Sequence, residues 1–124
     1  MFLVDQQTFE ITVDAGDQDK VKFTLTNSDG TPFNATGAAF EFTAKSSLDV
    51  ALASAELRLT SAANPTQFDL SGAATGIVVV EFTAANTSAL GGRRYYYGLK
   101  MTEGSGKVHT PRVAFLVVRK NPTL

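Results

Sequence analysis

The chain has 124 residues, of which 44% are hydrophobic and 19% are charged, an ordinary composition for one soluble globular domain. It contains no cysteine, which excludes disulfide scaffolds and cysteine-ligated metal sites. The formal net charge of −1 gives no general attraction to nucleic acid or to an anionic membrane. We therefore expect a single domain spanning residues 1–124, large enough to bury a core without covalent or metal support.

The chain begins with a short apolar stretch. This stretch consists of Met1, Phe2, Leu3 and Val4. It stops at Asp5 and has no basic lead, so we expect no signal peptide, and no segment of the sequence is apolar enough to predict a membrane span. We expect synthesis and folding in a cytoplasm. Residues 1–6 are predicted to form an extended arm that packs on a partner, the alternative being a strand that extends the chain's own sheet.

The first half of the chain alternates apolar and polar residues in short runs, which is typical of half-buried strands. Residues 7–13, 20–26 and 40–45 show this period, with Phe9, Ile11, Val21, Phe23, Leu25, Phe40 and Phe42 on the inward side. An Asn-Ser-Asp-Gly-Thr-Pro turn separates the second run from the third. Leu57 and Leu59 predict another short strand.

Two middle segments are less regular. Residues 47–55 space apolar side chains at helical intervals, so that a short helix and a long loop both fit. Residues 68–70 predict a strand fragment before Gly72.

The second half is the densest strand-forming region, because β-branched and aromatic residues follow one another between glycine turns. Val80, Phe82, Tyr97 and Leu99 are expected in the core. Residues 83–90 predict a strand end followed by a short helical turn. A tyrosine just after such a turn resembles the tyrosine corner of immunoglobulin-like sandwiches, and Tyr95 is its first candidate.

These elements predict an all-β fold, a single antiparallel immunoglobulin-like β-sandwich of about seven strands. Ile77, Val79 and one alternate set of the closing strand, residues 113–118, are apolar on faces that would point outward. If the two strands are neighbours, these side chains form one apolar patch that a partner would cover. The alternative is that residues 47–55 fold over it.

The sequence offers no convincing chemistry. Asp14, Asp17 and Asp19 lie in one turn, but their spacing does not match a calcium loop. His109 is the only histidine and lacks a nearby carboxylate in sequence, which makes a zinc site a poor interpretation. Gly104-Ser-Gly106 lacks the spacing of a nucleophile elbow. We expect no enzyme activity, no metal and no cofactor.

One basic and aromatic cluster remains, Arg93-Arg94 followed by three tyrosines. With Tyr95 and Tyr97 assigned to the core face, only Tyr96 is available to a ligand. Stacking platforms for nucleic acid normally lie in a basic groove, which the rest of the sequence does not predict. Tyr96 is therefore a candidate for contact with a protein partner or, alternatively, for carbohydrate binding.

Three stretches carry a family resemblance. Residues 21–37 contain a strand, an Asp-Gly-x-Pro turn and a Thr-Gly that opens the next strand; residues 76–82 open on a glycine; residues 87–92 lead through a turn to Tyr95. Together they resemble the N-terminal immunoglobulin-like domain of the phage baseplate upper protein family, over most of residues 7–118.

The resemblance implies a non-enzymatic bacteriophage virion protein that binds other virion proteins and assembles in several copies, without nucleic acid or membrane. Members of the baseplate type continue into a linker and a further module, whereas this sequence ends at Leu124. We therefore expect a capsid decoration (cement) protein or a tail or baseplate adaptor. The alternative from another class is a carbohydrate-binding adhesion module.

Overall fold

A computed structural model describes residues 2–4, 10–47, 49 and 54–120, and the backbone alone of residues 2–4 and 111–113. Nine strands lie in this part of the chain. They are β1 (Phe2–Val4), β2 (Ile11–Asp14), β3 (Asp19–Asn27), β4 (Ala39–Lys45), β5 (Leu57–Thr60), β6 (Phe68–Asp69), β7 (Ile77–Phe82), β8 (Arg94–Thr102) and β9 (Val108–Arg119). One helix, α1 (Ala84–Leu90), and two 3-10 turns, Pro65–Gln67 and Ala73–Thr75, lie between strands.

The strands form two sheets that pack face to face. One sheet has the order β1-β3-β7-β6 and the other the order β2-β9-β8-β4-β5. These orders correspond to strands A-B-E-D and G-F-C-C′ of an immunoglobulin fold, with β2 added beside the last strand. The predicted immunoglobulin-like β-sandwich is confirmed, and the additional strands are short elements at the sheet edges.

One strand pair is parallel, although the sequence predicted antiparallel pairing throughout. β2 runs alongside β9, with Ile11 opposite Leu116 and Asp14 opposite Arg119. The Arg119 guanidinium closes this ladder by donating from Nε and Nη2 to the two carboxylate oxygens of Asp14, at 2.7 and 3.0 Å. The ladder and this ion pair join β2, near the start of the chain, to β9, the last strand. Residues 7–9, where the predicted strand began, lie outside the described residues.

The N-terminal stretch belongs to the chain's own sheet. Phe2–Val4 pair antiparallel with β3, in the register Phe2 to Asn27 and Val4 to Leu25. This backbone pairing is that of the strand-extension alternative and corrects the prediction of an arm that leaves the domain. Contact of Phe2, Leu3 or Val4 with a partner stays a prediction, because an edge strand keeps one side open. Met1 lies outside the described residues.

The core lies between the sheets where the alternating pattern predicted it. Its buried members include Ile11, Val21, Phe23, Leu25, Phe40, Phe42, Val80, Phe82, Tyr97 and Leu99. Phe42 is at the centre, stacked on Tyr97 with ring centroids 5.3 Å apart and edge-on to Phe82 at 5.1 Å. Such aromatic pairs add to the free energy of burial. Phe9 lies outside the described residues.

Tyr95 forms the predicted tyrosine corner. Its side chain is buried, and its hydroxyl donates a hydrogen bond to the backbone carbonyl of Leu90, the last residue of α1. The start of α1 is equally well defined, because Thr83 and Asn86 exchange the reciprocal hydrogen bonds of a capping box. Hydrogen bonds therefore hold both ends of α1, and the Tyr95 hydroxyl ties the start of β8 to the end of the helix.

The turn between β2 and β3 is anchored to α1 by one buried hydroxyl. Thr87 Oγ1 accepts from the Gly16 amide at 3.0 Å and donates to the Asp17 carbonyl at 2.8 Å. Thr87 has no exposed surface, so its hydroxyl needs these two partners, and through them it ties the turn to α1. Asp14, Asp17 and Asp19 accordingly serve a structured turn. No helix in the described part of the chain is long and apolar enough to cross a membrane.

Candidate binding face

The outer face of the five-stranded sheet carries a group of aromatic and basic side chains from β8 and β9. Along β8 the buried side chains of Tyr95, Tyr97 and Leu99 alternate with Arg94 and with the half-buried Tyr96, which point away from the core. On β9, Leu116 and Val118 are buried, so Phe115 and Val117 lie on this same outer face. The sequence alone left the two faces of the closing strand undecided.

Arg94, Tyr96 and Phe115 form a contiguous group, here called the aromatic–arginine cluster. Tyr96 is directly opposite Phe115 in the ladder between β8 and β9, and their ring centroids are 5.0 Å apart with a tilt of 43°. The guanidinium carbon of Arg94 lies 3.7 Å from the centroid of the Phe115 ring, a cation–π contact. Arg94 reaches this ring diagonally, because its direct partner on β9 is Val117.

The other neighbours of Tyr96 on this face include a lysine and a glycine. Lys45 is its partner on β4, and Gly98 is the next outward position on β8. Gly98 stands opposite Thr43, so no side chain rises from β8 between Tyr96 and Lys100. A glycine inside a strand commonly marks a place where another backbone or a ligand approaches closely.

The charges on this face are mostly positive. Glu41, on β4, is bound by Arg58 of the neighbouring β5 and has only 13% of its side chain exposed, so its charge is compensated. Lys45, Arg94 and Lys100 have no ion-pair partner among the described residues.

A shallow pocket of about 140 Å³ opens on the same face, at the end remote from Arg94. Glu41, Thr60 and Lys100 are among its lining residues. Sites for small molecules and cofactors usually enclose about 300–1,000 Å³. This pocket is therefore suited to a single side chain of a partner.

Ile77 and Val79 lie elsewhere. They are half-buried on the outer face of the four-stranded sheet, where Ile77 is opposite Thr24 and Val79 is opposite Lys22. The closing strand belongs to the other sheet, so the predicted single patch joining it to Ile77 and Val79 is wrong. A partner contact at Ile77 and Val79 stays a prediction. Most of residues 47–55, the alternative cover, lie outside the described residues.

His109 has a carboxylate neighbour that the sequence did not reveal. Its Nε2 lies 2.7 Å from Oε2 of Glu103, across the turn between β8 and β9, and its ring meets Phe33 edge-on at 6.2 Å. The described residues contain no group of three or more histidine and acidic side chains that could hold a metal ion. The pair therefore serves as a link within the hairpin.

No family model matches the chain, and none of the curated proteins matches it. Solved structures do resemble it. The sialic acid binding region of a Streptococcus sanguinis SK1 adhesin, solved with 3'sLn bound, aligns with a TM-score of 0.52 at 11% identity. The alignment covers 96% of this chain and 29% of the adhesin region, so the chain spans less than a third of that protein's length.

Two further structures extend the comparison. A chain from the structural study of T cell specificity and activation by toxic shock syndrome toxin-1 aligns with a TM-score of 0.51 at 9% identity, covering 95% of this chain and 98% of that one. Fibronectin(III)-like modules of Clostridium thermocellum CbhA align with a TM-score of 0.43 at 14% identity, covering 96% of both chains. At these identities the two likenesses with TM-scores of 0.52 and 0.51 establish the fold alone. That fold, an immunoglobulin-like β-sandwich, agrees with the strand order.

Proposed function

We propose that this chain is a non-enzymatic binding module of a bacteriophage virion, which holds other virion proteins through the outer face of its five-stranded sheet. The aromatic–arginine cluster carries the proposal. Tyrosine and arginine are enriched among the residues that contribute most binding energy at protein interfaces, and aromatic side chains are enriched at interface centres. Here they stand together on the outer face of the five-stranded sheet.

The virion assignment is supported by the sequence resemblance to the N-terminal domain of the phage baseplate upper protein family. The chain's strand order fits that resemblance, since it is immunoglobulin-like. Two locations suit such a module, a capsid surface that it decorates and a tail or baseplate where it acts as an adaptor. Repeated virion surfaces would present it in several copies.

Particle composition tests this proposal directly. Virions produced from the genome that encodes the chain should be separated into heads and tails and analysed by mass spectrometry. We expect the chain in one fraction, at many copies per particle. Its absence from purified particles would contradict the virion role.

The binding face is tested with purified protein added to particles that lack it. Tyr96→Ala should weaken particle binding roughly tenfold or more, which corresponds to about 1.4 kcal/mol, because it removes a ring from the centre of the contact. Thr24→Ala, a half-buried outward position on the other sheet, is the matched control and should leave binding unchanged. Equal binding by both variants would place the contact elsewhere. The double change Ile77→Lys and Val79→Lys then tests the other sheet face.

Carbohydrate binding is the second candidate, favoured by the half-exposed Tyr96 ring on this sheet face. An accessible aromatic ring is a suitable platform for the apolar face of a sugar. The adhesin region that resembles this chain binds a sialylated sugar, but that likeness concerns the fold. Glycan-array binding that Tyr96→Ala abolishes would favour this candidate over the virion role, as would the absence of particle association.

A further inference from the structure

We propose that Arg94 is a receptor for a carboxylate, and that the partner presents an acidic segment of a protein chain to the aromatic–arginine cluster. This inference rests on the proposed function, because it names the chemistry that the same face recognises. It is carried by three observations: the position of the guanidinium, the absence of an acid partner for it among the described residues, and the charge of the surrounding face.

The guanidinium is held in place while its donors stay available. Its carbon lies over the Phe115 ring, 3.7 Å from the ring centroid. Tyr96 packs against Phe115 with ring centroids 5.0 Å apart and so supports that ring. A guanidinium carries its N–H groups around its edge in a planar fork that matches the two oxygens of a carboxylate. Contact with the ring reduces the motion of the guanidinium, while its N–H groups stay available to a carboxylate.

The described residues supply no acid for this fork. Among the described residues the ion pairs join Lys20 to Glu81, Arg58 to Glu41, His109 to Glu103, and Arg119 to Asp14. Arg94 has no carboxylate within ion-pair distance in this part of the chain. By contrast, Arg58 on β5 and Arg119 on β9, in the same sheet, each bind an acid of the neighbouring strand. Arg94 therefore keeps its pairing capacity for a partner.

The surrounding charges favour an acidic partner. Lys45 flanks Tyr96 on β4, and Lys100 lies on the same face of β8 as Arg94. Two acids of the face, Glu41 and Asp14, are already compensated by Arg58 and Arg119. A partner with several carboxylates would thus meet three cations within one sheet face, whereas two copies of this chain docked face to face would bring like charges together. Complementary charge of this kind steers encounter and fixes register.

Nuclear magnetic resonance with defined probes tests the inference. The probes are a ten-residue peptide of alternating glutamate and glycine and its glutamine counterpart, titrated into the whole chain at about 150 mM salt. We expect the glutamate peptide to shift the Arg94 Nε–H resonance and the amides of Tyr96 and Phe115. The glutamine peptide should bind at least tenfold more weakly, because it cannot accept a charged bidentate contact.

Variants then separate the fork from general charge. Arg94→Gln should weaken glutamate-peptide binding at least tenfold, and Arg94→Lys, which keeps the charge and loses the fork, should fall between it and the native chain. Arg58→Gln is the matched control, since it removes one positive charge from the same face, and binding should stay within about twofold. Unchanged amide dispersion and thermal midpoint in each variant confirm that the fold is retained.

Three outcomes would overturn the inference. Equal binding of the two peptides would show that the face does not read carboxylates. Equal losses for Arg94→Gln and Arg58→Gln would reduce the effect to overall charge. Arg94-dependent binding of a sialylated oligosaccharide without peptide binding would assign the carboxylate to a sugar. After either of the first two results, the proposed virion function still stands if Tyr96→Ala weakens particle binding. Failure of this inference can therefore be distinguished from failure of the proposed function.

Discussion

Tyr95 couples the end of α1 to the start of β8 through a single hydroxyl. Because Tyr95 is buried, the Leu90 carbonyl loses its hydrogen bond to Tyr95 if the hydroxyl is removed. Tyr95→Phe should therefore lower the free energy of unfolding by about 1–3 kcal/mol, the usual cost of leaving a buried polar group unsatisfied. Chemical denaturation measures this loss of stability. Tyr96→Phe, at the half-buried outward position next to Tyr95, is the control and should change the free energy of unfolding by less than about 0.5 kcal/mol. Similar values for the two variants would show that the corner contributes nothing.

The same residue predicts an alkaline limit to stability. Burial raises the pKa of Tyr95 above its ordinary value of 10.0, since the charged phenolate is poorly solvated there. A group whose pKa is raised in the folded state contributes stability below its unfolded pKa and loses it as the pH rises further. The stability advantage of the native chain over Tyr95→Phe should thus be constant below pH 10 and shrink above it. A difference that persists unchanged well above pH 10 would contradict this assignment.

At the scale of elements, Gly76 sets the entry of β7 into its sheet. Its φ is +80°, and a Cβ at this position would lie 2.2 Å from the Leu25 carbonyl oxygen and 2.9 Å from that of Phe33. The Gly76 carbonyl in turn accepts from the Leu25 amide at 2.7 Å, so the close approach is part of the sheet. Gly76→Ala should destabilise the fold by more than the about 1–3 kcal/mol expected from a left-handed backbone alone.

Gly30→Ala is the control for this prediction. Gly30 has a similar φ of +88°, but a Cβ there would meet nothing within 4 Å. The difference in unfolding free energy between the two variants therefore isolates the contact with the Leu25 and Phe33 carbonyls. Equal destabilisation by both changes would mean that the backbone can relax around a Cβ at Gly76.

The elements that the sequence predicted well are those whose period is visible locally. β3, β4 and β8 alternate buried and outward residues without interruption, so their inward sets followed from residue type alone. The pairing of β2 with β9 could not be predicted in this way, since it joins residues about a hundred positions apart. Nothing in the alternation of either strand encodes a parallel direction. The two-residue β6 is likewise defined by its partner, β7, more than by its own composition.

The candidate site was predicted in part for the same reason. Tyr96 was identifiable because its neighbours Tyr95 and Tyr97 belong to the core face. Phe115 could not be assigned, because both faces of the closing strand are apolar and only the register with β8 decides between them. The contact of Arg94 with Phe115 depends on that register. The patch expected around Ile77 failed because it required two strands to be neighbours that the fold places in different sheets.

At the scale of the whole molecule, the two outer faces differ in chemistry. The five-stranded sheet presents aromatic rings and uncompensated cations, whereas the four-stranded sheet presents Ile77 and Val79 next to Lys22 and Thr24. A module with two unlike faces can contact two different neighbours at once. A variant that loses the contact through one face would keep the contact through the other face. Tyr96→Ala and the double change Ile77→Lys and Val79→Lys are therefore informative together.

The parallel pairing of β2 with β9 also has a mechanical consequence. Tension applied at the two ends of the domain pulls these strands in opposite directions along their length, so their hydrogen bonds and the Asp14–Arg119 contact are loaded in shear and must yield together. Tension applied across the β8–β9 turn, at Thr102 and Val108, would instead open that ladder one bond at a time. Single-molecule pulling from the ends should therefore require a markedly higher force than pulling across the turn, since forced unfolding follows the barrier along the pulled direction. A domain built in this way resists tension applied along its chain.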